Sequence, residues 1–260
     1  MNICIITVTF NDKSNLMRTF ESIRLYKQKN HKYYVIDGGS NDGSIEEILN
    51  NLDIIDDFIS EHDFGIYDAM NKALNFCNDD DDFLFWLNAG DELLDWSTIN
   101  VEDFRNKECA FYAVLTKVSI ADKPMLVMPK IKLPFNEKNF SISDFMHQGF
   151  LIKREIFKKI KYDTCVGLQA ENLLMSICIL KYSKFISDQP ISVFYLDGIS
   201  NTNFKDVKNS YFKIAKKLGY NMFKIHFFNF FSSIKYLIKI ITPMKCIKQY
   251  RIINRRIKNI

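Results

Sequence analysis

The chain has 260 residues, of which 47% are hydrophobic and 25% are charged. This composition excludes a disordered or fibrous protein and predicts one large domain, or one domain with a small appendage. The net charge of +4 is unevenly distributed, because residues 205–260 contain 14 Lys and Arg and a single acid, Asp206. Residues 1–204 are therefore acidic overall. A basic tail on an acidic body predicts that the tail contacts something anionic.

Three features predict a cytoplasmic protein. The six cysteines are scattered without a Cys-x-x-Cys pair, which favours reduced thiols. Met1-Asn2 leads directly into a strand pattern without a basic leader, so no signal peptide is expected. No apolar run reaches the ~18 residues that a membrane-spanning helix requires.

Apolar strands and amphipathic helices alternate through the first 90 residues. Strands are predicted at Ile3–Thr9, Tyr33–Ile36, Ile54–Ser60 and Phe83–Leu87, and helices are predicted to begin at Asp12 or Ser14, at Asp42 or Ser44, and at Gly65, the last running to Phe76. A continuous apolar run such as Phe83–Leu87 is typical of a parallel sheet covered by helices. The alternation predicts a mostly parallel α/β sheet with right-handed connections.

The pattern is looser in the second half. Strands are predicted at Ala110–Val118, at Met125–Ile131 and twice within Lys184–Tyr195, where Pro190 separates the two, and helices at Lys153–Ile160, Leu168–Leu180 and Lys205–Leu218. Some of these strands are expected to be antiparallel. Gly219 is a typical helix stop.

Polar side chains follow each strand of the first half. They are Thr7, Thr9 and Asn11 at the first strand, Asp37 and Ser40 at the second, Glu61 and Asp63 at the third, and Asn88 and Asp91 at the fourth. Parallel strands direct their carboxyl ends to one edge of the sheet, where ligands bind in open α/β folds. The sequence therefore predicts a ligand site at that edge.

Individual residues suggest what the ligand is. Asp37, followed by two glycines, can accept an N–H from a base edge while the backbone stays accessible. Asp91 can hold a hard divalent cation, which in turn can hold a diphosphate. Neither Gly-x-Gly-x-x-Gly nor Gly-Lys-Ser/Thr occurs, so a Rossmann dinucleotide enzyme and a P-loop NTPase are both disfavoured.

Four ordered segments carry a family resemblance: Thr7–Asn11 (TVTFN), Val35–Ser44 (VIDGGSNDGS), Gly65–Lys72 (GIYDAMNK) and Leu87–Asp91 (LNAGD). They resemble family 2 glycosyltransferases, particularly the bacterial branch that assembles polysaccharides such as O-antigen and capsule. The resemblance is dense over residues 1–95 and traceable to about Ser200. It implies the GT-A fold, a Rossmann-like, mostly parallel sheet with helices on both faces.

The resemblance also implies a division of the chain. Residues 1–100 would be the nucleotide-sugar-binding half, and residues 101–204 a partly antiparallel, acceptor-side half of the same domain. Residues 205–260 would be a basic, amphipathic helical tail.

Site roles follow from the strand ends and the resemblance together. The predicted donor-nucleotide residues are Thr7, Thr9, Asn11, Asp37, Ser40, Asp63, Asn71 and Lys72. Asp91 matches the last carboxylate of an Asp-x-Asp-type metal motif, which implies catalysis with Mg²⁺ or Mn²⁺; Asn88 is a weak second ligand. Many relatives carry Asp where this chain has Asn88 and Gly90.

The acceptor side is predicted in the same way. Glu171 matches the catalytic base that takes a proton from the acceptor hydroxyl. His147, Gln148 and Ser200 match positions in the acceptor or phosphate region.

The implied activity is an inverting, metal-dependent transfer of hexosyltransferase type. The donor would be a nucleotide-diphosphate sugar, a UDP-sugar, and the acceptor a glycan or a polyprenyl-diphosphate-linked glycan in cell-surface polysaccharide synthesis. Two alternatives stay open: a non-catalytic scaffold of an assembly complex, and a sugar nucleotidyltransferase. The latter is disfavoured because the segment after the first strand lacks a Gly-rich basic loop.

Residues 222–258 combine bulky apolar side chains with Lys and Arg. This pattern predicts a helix in the headgroup layer of an anionic membrane, which would make the protein peripheral on the inner face of the cell membrane. The alternative is packing on the catalytic domain or on a second subunit of a homo-oligomer. No nucleic-acid partner is expected.

Overall fold

The structure is a computed structural model that describes residues 1–80, 82–117, 126–128, 145–195 and 204–219. The chain divides into two compact units, Met1–Val207 and Lys208–Ile260. The predicted boundaries at residues 100 and 204 stay predictions. Residues 222–258 and Ser200, for which membrane and phosphate roles were predicted, lie outside the described residues.

The described strands are β1 Ile3–Thr9, β2 His31–Asp37, β3 Asp57–Ser60, β4 Phe83–Trp86, β5 Glu92–Leu93, β6 Cys109–Lys117, β7 Leu126–Met128, β8 Phe150–Lys153 and β9 Lys184–Tyr195. The described α-helices are α1 Lys13–Tyr26, α2 Ser44–Asn50, α3 Ile66–Asn71, α4 Glu102–Arg105, α5 Arg154–Ile160, α6 Ala170–Lys181 and α7 Phe204–Lys217. Short 3-10 turns occupy Lys72–Asn75, His147–Gly149 and Thr164–Val166.

The amino-terminal half is a parallel sheet, as predicted. Strand β1 pairs in parallel with β2 and with β4, and β2 pairs in parallel with β3. Every side chain of β1 and β4 is buried, because helices cover both faces of the sheet. Helix α1 buries Leu16, Phe20 and Ile23, which repeat at helical spacing.

The second half extends the same sheet with mixed directions. The strand order is β3-β2-β1-β4-β8-β6-β9-β5, and β7 pairs with β6. Strand β8 is antiparallel to both β4 and β6, whereas β9 is parallel to β6. Neither β5 nor β8 was predicted. Both are short, and β8 passes directly into α5, so no turn residue separates strand from helix.

Two sequence predictions were wrong in detail. Strand β9 runs unbroken through Pro190, which lies opposite Ala113, and the register shifts on both sides of this pair because β9 carries extra residues there. A local irregularity of this kind accommodates a residue that has no N–H to donate. The helix predicted over Gly65–Phe76 is α-helical only from Ile66 to Asn71 and continues as a 3-10 turn.

The core lies on both sides of β4. Trp86 and Phe85 are fully buried, and they pack against His147 and Trp96 respectively. Within the described part of the chain, no helix is both long enough and apolar enough to cross a membrane.

Candidate active site

The four polar strand ends meet at one edge of the sheet, as predicted. The backbone N–H of Gly38 donates to Thr9 O at 2.9 Å, and that of Glu61 donates to Asp37 O at 3.0 Å. The backbone N–H of Ala89 donates to Val8 O at 3.2 Å. The ends of β1, β2 and β4 and the segment after β3 therefore form a continuous edge.

Asp37 organises the loop after β2. Its buried carboxylate accepts from Gly39 N at 3.0 Å, from Ser40 N at 2.9 Å and from Ser60 Oγ at 2.6 Å, and Ser40 Oγ also donates to it. Ser40 Oγ in turn accepts from the backbone N–H of Asn11 at 2.7 Å. The carboxylate thus fixes the loop with four donors from the chain itself.

Asp63 lies against Gly38. A Cβ added to Gly38 would be 2.5 Å from Asp63 Oδ2, closer than a side chain tolerates. The other carboxylate oxygen, Oδ1, accepts from the backbone N–H of Gly65 at 2.7 Å. Gly38 is therefore the residue that allows Asp63 to approach the end of β2.

Two buried oxygens at this edge have no hydrogen-bond partner among the described residues. They are Thr9 Oγ1, at the end of β1, and Asn88 Oδ1, after the neighbouring strand β4. Thr7 differs, since its fully buried hydroxyl donates to Leu87 O at 2.7 Å and accepts from Tyr33 Oη at 2.9 Å. Because a buried polar atom without a partner is costly, Thr9 and Asn88 mark where a polar ligand would be most favourable.

Lys72 and Asn71 have partners within the protein. Lys72 Nζ lies 2.9 Å from a Glu61 carboxylate oxygen and donates to His62 O at 3.2 Å. Asn71 uses both ends of its amide on one residue: Nδ2 donates to Tyr162 O at 3.0 Å, and Oδ1 accepts from Tyr162 N at 2.9 Å. Lys72 could bind a phosphate in place of the exposed Glu61 carboxylate, whereas both polar atoms of the Asn71 amide are hydrogen-bonded to Tyr162.

Asp91 is buried in the turn after β4. Gly90 precedes it with φ 95°, a left-handed conformation that favours glycine, and its N–H donates to Thr19 Oγ1 at 2.9 Å. The Asp91 carboxyl is 4% exposed and accepts from Gln148 Nε2 at 3.2 Å. Burial raises the pKa of Asp91 to about 8, although hydrogen bonds from Gln148 and the Tyr195 backbone oppose the rise.

These residues do not assemble a metal site by themselves. The described residues contain no group of three or more His, Cys, Asp or Glu side chains placed to hold a metal ion. Asp91 contributes one carboxyl, which is already bonded to Gln148, and Asn88 contributes one amide oxygen. One carboxyl and one amide oxygen would hold Mg²⁺ or Mn²⁺ only together with the diphosphate oxygens of a donor and with water, which is the usual way Mg²⁺ is bound in nucleotide sites. The metal-ligand role stays a prediction.

Glu171 lies in the first turn of α6 and is half-buried. Its Oε2 accepts a hydrogen bond from Tyr67 Oη of α3, which is 104 residues away in sequence. Burial raises the pKa of Glu171 to about 7, and the Tyr67 hydrogen bond opposes that rise. A carboxyl that titrates near neutrality can exchange protons with a substrate.

The 3-10 turn that contains His147 and Gln148 contacts both β4, the strand before Asp91, and α6, the helix that contains Glu171. His147 is 7% exposed, and burial lowers its pKa to about 4, so the ring is neutral at physiological pH. Its Nε2 has no hydrogen-bond partner in the described ranges. Gln148 bonds to Asp91, and its carbonyl accepts from Ser192 Oγ at 2.5 Å.

Sequence reasoning assigned no role to Tyr67 or Tyr162. Both belong to the surroundings of Glu171: Tyr67 donates to its carboxylate, and the Tyr162 ring lies 5.5 Å from that of Tyr67. One signal was present. Tyr67 and Asn71 are four residues apart in the segment Gly65–Lys72, and this spacing places them on one face of a helix.

Comparison with known proteins gives consistent results. The family model described as Glycosyl transferase family 2 matches residues 4–161. A protein from Mycobacterium tuberculosis described as an uncharacterized glycosyltransferase is 33% identical over 90 residues, which is 34% of this chain and 34% of that protein. The match thus spans about a third of that relative.

Solved structures share the fold. TarS of S. aureus, in complex with UDP-GlcNAc, superposes with a TM-score of 0.63 at 13% identity and covers 83% of this chain and 66% of the other. A mannosyltransferase from Pyrobaculum calidifontis, in complex with GDP-Man and Mn²⁺, gives a TM-score of 0.56 at 12% identity, covering 83% and 64%. At these identities the likeness shows the fold alone.

Proposed function

The chain belongs to glycosyl transferase family 2, and from that membership we propose that it transfers a sugar to an acceptor hydroxyl with inversion at the anomeric carbon. The observation that carries the proposal is the contact of Glu171 with Tyr67. It brings a carboxyl that titrates near pH 7 against Gly65–Lys72, a segment through which the chain resembles the family.

The proposed donor is a nucleotide-diphosphate sugar, specifically a UDP-sugar. The edge formed by β1, β2 and β4 would hold it. Thr9 Oγ1 and Asn88 Oδ1 support this placement because both are buried and lack partners among the described residues. Asp37 and Ser40 would act by shaping the loop, and Lys72 by meeting the diphosphate. TarS and the Pyrobaculum mannosyltransferase, which share the fold, bind UDP-GlcNAc and GDP-Man respectively.

Glu171 would act as the general base. The acceptor oxygen forms a bond to the anomeric carbon while the bond from that carbon to the nucleoside diphosphate breaks, and the bonding electrons leave with the diphosphate. The acceptor's proton passes to a Glu171 carboxylate oxygen. Attack opposite the leaving group inverts the anomeric configuration, and no covalent sugar–enzyme species is required.

No step of this proposal passes through a metal ion. Asp91 and Asn88 would hold a Mg²⁺ or Mn²⁺ ion only together with the diphosphate of the donor and water, so metal dependence is a separate prediction that a chelation assay would test. Asp91 is proposed to act on the donor side by holding Gln148, and hence the turn that contains His147, against the end of β4.

The acceptor is proposed to be a glycan, free or linked to a polyprenyl diphosphate, in cell-surface polysaccharide synthesis. The charge of residues 205–260 supports a membrane location, since 14 bases oppose one acid. Truncation after Gly219 should abolish sedimentation with vesicles that contain anionic lipid. Unchanged sedimentation would remove the membrane proposal.

The catalytic proposal is tested with Glu171→Gln. The wild type is screened for thermal stabilisation by UDP, GDP, UDP-GlcNAc and GDP-Man, and hydrolysis or transfer of the stabilising donor is then followed. The variant should lose about 10²- to 10⁴-fold in turnover, the usual range for a general base, while its stabilisation by the nucleotide is retained. Glu155→Gln, at an exposed glutamate of α5 paired with Lys159, is the matched control.

Two results would overturn the proposal. If Glu171→Gln turned over like the wild type, Glu171 would not be the base. If the wild type bound none of the four nucleotides, the alternative of a non-catalytic scaffold in an assembly complex would be favoured instead.

A further inference from the structure

Helix α3 contacts the start of the Glu171 region at two points. Tyr67, near its beginning, donates its hydroxyl to Glu171 Oε2. Asn71, one turn later, bonds to both the N–H and the carbonyl of Tyr162. One face of α3 is therefore hydrogen-bonded to Tyr162, which precedes α6, and to Glu171 in the first turn of α6.

The Tyr67 hydroxyl is committed to this contact by its surroundings. Tyr67 is half-buried, and its ring lies 5.5 Å from that of Tyr162, which is itself only 3% exposed. Asn71 holds the Tyr162 backbone, so the ring beside Tyr67 is fixed as well. A half-buried phenol with one well-placed carboxylate has little alternative to donating to it.

We infer that Tyr67 is a positioning residue for the transfer reaction: its hydroxyl holds the Glu171 carboxylate in its ionised, proton-accepting state and aims it. This inference rests on the proposed role of Glu171 as general base. The Gly65–Lys72 segment would then control the ionisation and orientation of the Glu171 carboxylate, in addition to any contact with the donor.

The groups that face Glu171 make the direction of the effect clear. They are Tyr67 from α3 and Tyr162 from the segment before α6. Tyr162 Oη has no hydrogen-bond partner in the part of the chain that the structure describes, so Tyr67 supplies the hydroxyl that stabilises the carboxylate. Removing that hydroxyl disfavours the ionised form, and a base that must be ionised then needs a higher pH.

The test compares Tyr67→Phe with the wild type in the pH dependence of donor hydrolysis, using UDP-GlcNAc or GDP-Man according to which stabilises the protein. The variant keeps the ring and loses the hydroxyl. Its acid limb should move to higher pH by about one unit, so that turnover below the midpoint falls about tenfold, while turnover well above it largely recovers. Thermal stabilisation by the nucleotide should be unchanged.

A second variant guards against misfolding and reverses the sign. Replacing Tyr67 with 3-fluorotyrosine keeps the hydroxyl and makes it a stronger donor, so the acid limb should move to lower pH. Tyr34→Phe, at a half-buried tyrosine of β2 that stacks on Phe76, is the matched control, and its midpoint should stay at the wild-type value.

The outcomes separate this inference from the proposed function. A Tyr67→Phe variant whose turnover falls equally at every pH, or whose midpoint does not move, would overturn the positioning role while Glu171→Gln still identified the base. If Glu171→Gln itself had no effect, the proposed function would fail first, and the inference with it.

Discussion

The carboxyl groups at the strand ends and the carboxyl group of Glu171 have different partners. The Asp37 carboxylate accepts four hydrogen bonds, three from its own loop and one from the side chain of Ser60. The Asp91 carboxyl accepts one from Gln148, whose backbone carbonyl is in turn bonded by Ser192. Among the described residues, Glu171 has one side-chain donor, Tyr67, from a helix that is distant in sequence. The strand-end carboxyls thus stabilise the edge, whereas Glu171 keeps the capacity to accept a proton.

This difference shows that a polar residue at the end of a parallel strand can be fully hydrogen-bonded within the protein, so its position alone does not identify a ligand contact. At the β1–β4 edge, two side-chain oxygens without partners among the described residues belong to Thr9 and Asn88. The acids next to them are occupied. Function at this edge is therefore expected to depend more on uncharged oxygens and backbone shape than on the acids.

The largest effect that would sharpen the contrast is the pH dependence of turnover. With a Glu171 pKa of about 7, the ionised fraction is about half at pH 7, so donor hydrolysis should fall about fivefold between pH 7 and pH 6 and about fiftyfold between pH 7 and pH 5. The measurement is initial rate against pH at saturating donor. A flat profile between pH 5 and 7 would remove the distinction between the two regions.

A smaller effect concerns the stability contributed by Asp91. The pKa of Asp91 in the folded protein, about 8, lies above the usual aspartate value of 3.8, so between these two pH values folded Asp91 holds a proton that the unfolded chain has lost. The free energy of unfolding should therefore decline as pH rises from about 4 to about 8. Asp91→Asn cannot ionise and should gain at least about 1 kcal/mol over the wild type at pH 8, with no such gain at pH 4.

Urea unfolding at the two pH values measures this gain. Asp57→Asn, at an exposed aspartate in β3, is the control and should show no difference between pH 4 and pH 8 relative to the wild type. An Asp91→Asn variant that was equally destabilised at both values would mean that the carboxyl is ionised in the folded protein.

The smallest expected effect separates Thr9 from Thr7. Thr9→Val removes a buried hydroxyl that has no partner in the described residues, so it should raise the free energy of unfolding by up to about 1 kcal/mol while reducing stabilisation by UDP. Thr7→Val removes a hydroxyl that makes two hydrogen bonds and should instead cost about 1 kcal/mol or more. Equal behaviour of the two variants would place no ligand at Thr9.

The fold was largely predictable because its signals are local. Continuous apolar runs revealed the parallel strands, and helical spacing revealed α1. The missed strand β8 has only four residues, and it is a strand because it pairs in antiparallel fashion with β4 on one side and β6 on the other. Pro190 misled the prediction because β9 accommodates its missing N–H by bulges on both sides of it, where β9 has more residues than the facing stretch of β6.

The site was predictable to the level of segments. Motif order located the strand ends and Glu171, but hydrogen-bond partners between distant residues decide what each side chain does. Asn71, whose contact with the nucleotide stays a prediction, bonds to Tyr162, 91 residues away. Tyr67 stood in the same motif without a predicted role. Pairings of this kind arise from the packing of α3 and have no counterpart in local spacing.

The Asn71 side chain also bears on how the protein opens. The Asn71 amide donates to the Tyr162 carbonyl and accepts from the Tyr162 N–H, as the backbone of a neighbouring strand would. It therefore protects this N–H, in the segment between α5 and α6, from exchange with solvent. Amide exchange at Tyr162 should then require α3 to detach, so the two segments would behave as one cooperative unit. The unit that contains Glu171 would be as slow to open as the helix that holds it.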